Sequence, residues 1–210
     1  MEGSASHIFT FSDLISISAH KILVINGSAN YDGVIFVTGF PLNRFYYFAD
    51  VTCTKSSAKG LGDCFYLSNT DILITNLRMI SIDSINSLIN IEGNTVTYFQ
   101  LENTILLNCH ISNSFLRAMY SRLKIKKFSC KDIGSTSLTR FFVFEKSMLI
   151  FSDSQSFFTS RNHLIVYLSA VDSNLECTRN KLVLDHSGLA FLLNKCEIFL
   201  LNLTEIYQGK

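Results

Sequence analysis

Three carboxylates, Asp83, Asp132 and Asp185, recur along the chain, with Lys131 beside one and His186 beside another. Carboxylates converging on one face can act as general acid and base in glycoside hydrolysis. They can also hold calcium while a lysine or arginine removes a proton. These three fall at unequal offsets in the repeat described below, and no Asp-Asp or Asp-x-Asp pair occurs. Their spacing places them at solvated corners, so no residue is assigned a catalytic role. The cysteines stand at 53, 64, 109, 130, 177 and 196 without any CxxC pair, and the five histidines lack ligand spacing. That pattern calls for no metal and no cofactor. Cys53 and Cys64 bracket a Lys/Gly/Ser loop that a disulfide could close. The other thiols read as small buried hydrophobes. His110 beside Cys109 should point to the opposite strand face, which argues against a nucleophile dyad. Asn26-Gly-Ser28 and Asn202-Leu-Thr204 match the glycosylation acceptor pattern, which matters only in a secreted eukaryotic chain.

The strongest charge feature is Arg117, Arg122, Lys124, Lys126 and Lys127. Arg122, Lys124 and Lys126 alternate, so on a strand they share the outward face. Such a stripe can meet an acidic glycan or lipid headgroups. Aromatic residues Tyr66, Phe99, Phe142, Phe151 and Phe199 also fall at expected exterior positions, and exposed apolar area of that extent marks a partner surface. The candidate glycan- or partner-binding set is therefore Arg117, Arg122, Lys124, Lys126, Lys127, Tyr66, Phe99, Phe142 and Phe151.

The elements that carry these residues follow from composition and periodicity. The chain has 210 residues, 48% hydrophobic and 17% charged, with a net charge of +1. That affords a sizeable core and excludes general disorder. The balanced charge also gives no support for a nucleic-acid partner. Apolar runs such as Ile22 to Ile25 and Phe141 to Phe144 are far too short for a membrane helix. Residues 1–7 have no apolar stretch and read as a disordered or added tail, not a secretory signal.

Six segments align on Ile72, Val96, Leu123, Met148, Leu175 and Ile198, at intervals averaging near 25 residues. Seven residues earlier stand Phe65, Ile89, Leu116, Phe141, Leu168 and Phe191. The positions five before and two after each anchor are apolar throughout, whereas the interleaved positions are apolar at the base rate. Period two means strands with one buried face, and polar stretches such as Ser68 to Asp71 supply turns. Two loops, 26–33 and 53–63, read as insertions between coils. The expected architecture is all-β: a right-handed parallel β-helix of roughly eight coils, forming one domain over 1–210. It carries no visible capping helix, which suggests a piece of a longer solenoid or a self-associating one.

The unit from Phe65 to Asn76, with its Ser-Asn corner, alternating Leu/Ile and following Asn, resembles a rung of right-handed parallel β-helix proteins. The resemblance is to pectin-lyase-like repeats and to autotransporter or polymorphic outer-membrane passenger domains. It implies either of two functions. The first is a non-enzymatic surface or secreted module, structural or adhesive, binding a protein or acidic glycan along its flank. The alternative is a polysaccharide lyase or glycoside hydrolase. End-to-end self-association is a further expectation, and the expected location is extracellular or at a cell surface.

Overall fold

The computed structural model describes residues 9–12, 16–29, 33–39, 45–60, 62–94, 97–135, 139–158, 165–184, 189–202 and 204–207. Among them all regular structure is strand, and no helix is long and apolar enough to cross a membrane. The chain is a parallel β-solenoid, each coil laying strands on three faces. Face A is an eight-stranded sheet, one strand per coil. Its strands are Phe9–Ser12, Ile35–Thr38, Phe65–Ser68, Ser87–Glu92, Ser114–Met119, Thr139–Glu145, Ile165–Val171 and Leu189–Asn194. We number the coils in that order. A 14-stranded sheet bends around a corner to make faces B and C. In coils 4 and 5 a single strand, Tyr98–Leu107 or Arg122–Ile133, runs through that corner. The repeat of about 26 residues is close to the expected spacing.

The corners are built without many glycines. Among the described residues eighteen non-glycine positions have positive φ, and ten of them are Asn or Asp, the residues that best tolerate the left-handed region. They stack in columns. At the corner between faces B and C the column reads Lys21, Asp50, Asn76, Asn103, Lys127, Asp153, Arg179 and Asn202. Lys21, Asp50, Asn76, Asp153 and Arg179 turn the chain while their amides still bond to the next coil, as Asn76 N donates to Glu102 O at 2.9 Å. Side chains continue the ladder: Asn76 Nδ2 donates to Asp50 Oδ1 at 2.8 Å, and Asn103 Nδ2 to Asn76 Oδ1 at 3.2 Å. The two insertions stack as well, because Ser28–Ala29 pairs in parallel with Ser57–Ala58. Gly62, at φ +76°, belongs there for want of space: a Cβ would collide with the Phe65 carbonyl oxygen. The disulfide between Cys53 and Cys64 closes this loop from inside the core.

The pairing register corrects the sequence alignment at two anchors and one earlier column position. Val96 lies outside the described residues, and its column position is taken by Phe99, which pairs with Ile72 and Leu123. The connection after Glu92 is longer than the one after Ser68, and Thr97 N donates to Asn94 Oδ1 across it at 3.1 Å. Leu149, not Met148, pairs with Leu123, and Phe142, not Phe141, pairs with Leu116. Continuous apolar runs such as Phe141 to Phe144 carry no period-two phase, and an odd shift exchanges inside for outside. Phe99, Phe142 and Phe151, expected on the exterior, are therefore core residues, each 1% exposed.

Phe142 and Phe151 help build the core of coils 5–7. Phe142 packs edge-on against Phe128, Phe141, Phe151 and Tyr167 at centroid distances of 5.1–5.4 Å. The Tyr167 hydroxyl meets Ser156 Oγ at 3.1 Å, so the one polar tip in this block is bonded. Coils 2 and 3 bury Ile35, Val37, Leu67, Ile72 and Ile74 together with Tyr46, Phe48 and Phe65, and hold the disulfide.

Candidate functional site

The basic segment is spread over three places. Arg122, Lys124 and Lys126 stand on the outer side of face B in coil 5, alternating with buried Leu123 and Ile125. Arg117 is half-buried on face A, between Asn90 and Val143 of the neighbouring coils. Lys127 occupies the corner column between Asn103 and Asp153. None of Arg122, Lys124 and Lys126 forms an ion pair with a described residue.

Tyr66 lies outward on face A, away from that triad. Its ring stacks on Phe36 at 5.1 Å and 6°, and its hydroxyl donates to Glu92 Oε2 at 2.7 Å. Asn90 Nδ2 donates to the other oxygen of Glu92 at 3.2 Å. Tyr66 thus joins a face A polar cluster, separate from the face B cations. Phe199 is outward on face B of coil 8 and 58% exposed.

The acidic residues do not come together among the described positions. Asp83 pairs with His110 at the start of a short strand in coil 3, and Asp132 is a left-handed corner residue two coils further on. Asp185 and His186 lie outside the described residues. No group of His, Cys, Asp and Glu able to hold a metal is found among those described. Cys109 is buried and His110 half-buried beside it. Burial pushes the Cys109 thiol up to about 11 and those of Cys130 and Cys177 up to about 12, so none offers a thiolate at neutral pH.

Sequence reasoning missed the neighbours of the triad. Face B carries two outward columns in step. One reads Tyr98, Arg122, Met148, Asn174 and Glu197 on successive coils. The other reads Gln100, Lys124, Ile150, Glu176 and Phe199. Two adjoining clefts, each about 270 Å³, run along these columns and share Met148 and Asn174. The first is lined by Arg122, Lys146 and Asp172 as well, the second by Glu176, Glu197, Ile198 and Phe199. Lys146 is held at the rim over the Tyr120 ring, 5.3 Å from its centroid. The signal for this arrangement exists in the sequence only once the register between coils is known.

The fold defines the class, a parallel β-solenoid with a charged and partly apolar flank. No protein-family model matches the chain, and no curated protein does.

Proposed function

We propose that this chain is a non-enzymatic β-helix module that binds a protein or glycan partner along its flank at an extracellular or cell-surface site. The observation that carries this reading is the outer side of face B. Three cations share it with no ion pair to a described residue, with Met148 at 45% exposure on the next coil and Phe199 at 58% on coil 8. Unneutralised charge next to exposed apolar area is what a partner surface offers. The Cys53–Cys64 disulfide favours an oxidising compartment. The rung from Phe65 to Asn76 supports kinship with pectin-lyase-like or passenger-type β-helices. Exchange of Arg122, Lys124 and Lys126 for alanine tests the reading. Binding to a glycan array and to cells should fall; unchanged binding to both would remove the flank from consideration.

A further inference from the structure

We infer that face B of coils 5–8 receives an extended polypeptide segment of a partner protein that presents an acidic, an apolar and a basic side chain at alternate positions. The inference rests on the flank-binding reading above and commits it to one partner chemistry.

Both outward columns change character in the same order. Coil 5 is cationic through Arg122 and Lys124, and Lys146, at the rim in coil 6, adds a third positive charge to this end of the cleft. Coil 6 is apolar through Met148 and Ile150. Coils 7 and 8 are anionic through Glu176 and Glu197, with Phe199 and Ile198 beside them. The flank is therefore polarised along the solenoid axis, and the two clefts join its positive and negative ends. A sulfated or uronate-rich glycan, negative throughout, would gain at coil 5 and be repelled at coils 7 and 8. A segment of mixed charge order is complementary over the whole length.

The spacing also fits. Coils are about 4.8 Å apart, so coils 5 and 8 are about 14 Å apart. An extended chain advances about 3.4 Å per residue and points alternate side chains the same way. Residues i, i+2 and i+4 then reach across about 14 Å, with the middle one about 7 Å along, between coil 6, which carries Met148 and Ile150, and coil 7. No backbone pairing is required, so the segment can run in either chain direction provided its acid lies on Arg122.

The test uses the full chain and three synthetic peptides, followed by chemical-shift mapping: Gly-Glu-Ser-Leu-Ser-Lys-Gly, the same peptide with Glu at both charged positions, and the same with Lys at both. A heparin oligosaccharide is the fourth probe. The mixed-charge peptide should bind best and shift Arg122, Met148 and Glu197. Arg122→Glu should weaken it about fivefold, the equivalent of about 1 kcal/mol for one exposed ion pair. The same change should strengthen the Lys/Lys peptide, and Glu197→Lys should strengthen the Glu/Glu peptide. Equal affinity for all three peptides, or no response to either reversal, overturns the inference. Heparin binding at Lys124 without mixed-peptide binding also overturns it, while leaving flank binding intact. Loss of every ligand, with the alanine triple variant binding cells as well as the parent does, would overturn both.

Discussion

Coils 5 to 7 and coil 8 carry the same chemistry at the same positions and meet different surroundings. One core column of face B runs Ile125, Phe151, Cys177 and Leu200, and exposure along it is 0%, 1%, 2% and 44%. The next runs Leu123, Leu149 and Leu175, all buried, and ends at exposed Ile198. What makes a residue core in a solenoid is a coil on each side, not its own type. Burial in this fold is thus a property of position along the axis.

That contrast can be broken most directly by truncation. Phe151→Ala should cost about 3–5 kcal/mol, because the ring is enclosed by Phe128, Phe142 and Tyr167 and leaves a cavity. Leu200→Ala in the same column should cost less than about 1 kcal/mol. Urea unfolding of both variants measures the difference; similar midpoints would end the comparison.

The disulfide sharpens it from the other end of the molecule. It closes a loop with a sequence separation of 11, and its loss through Cys53→Ser with Cys64→Ser should cost about 2–4 kcal/mol. Hydrogen exchange should rise in coils 2 and 3 while the aromatic block keeps its protection. Equal loss throughout would mean that the solenoid unfolds as one cooperative unit.

A smaller effect is expected inside the aromatic block. Tyr167→Phe preserves the ring and removes the bond to Ser156, which should cost about 1 kcal/mol. A thermal shift no greater than that of an exposed substitution would show that the hydroxyl contributes nothing there.

The smallest effect belongs to the corner pair of Asp153 and Arg179. Arg179 Nε and Nη2 donate to the carboxylate, which holds Asp153 below the usual carboxylate range. A folded-state value below the unfolded one contributes stability above the unfolded value and loses it as pH falls through the folded value. The urea midpoint should therefore drop slightly more steeply in acid for the parent than for Arg179→Met. Parallel acid profiles would show the pair to be mute.

How much of this was legible depended on phase. Around Leu123 and Ile125 polar residues alternate with apolar ones, so strand, face and outward Lys124 could all be read. Around Phe141 to Phe144 and Met148 to Phe151 every residue is apolar, and nothing in the local pattern says which side is inside. Phe142 and Phe151 were misplaced for that reason. Phe99 was misplaced because the longer connection after Glu92 lengthens its coil. The triad itself lies within one strand, so alternation revealed it. Its partners Met148, Asn174 and Glu197 are brought near it only by pairing between coils, which local spacing does not encode.

The left-handed corners have a mechanical consequence. Because amides bond to the next coil even at the bends, the hydrogen bonds point along the axis almost without interruption around each coil. Tension applied along the axis pulls a coil interface in the direction of its bonds and can peel it open from one corner. Tension applied across the axis, along the strands, shears all the bonds of an interface together. The molecule should therefore yield in small sequential steps when stretched from its two ends, and resist strongly when dragged sideways by its flank.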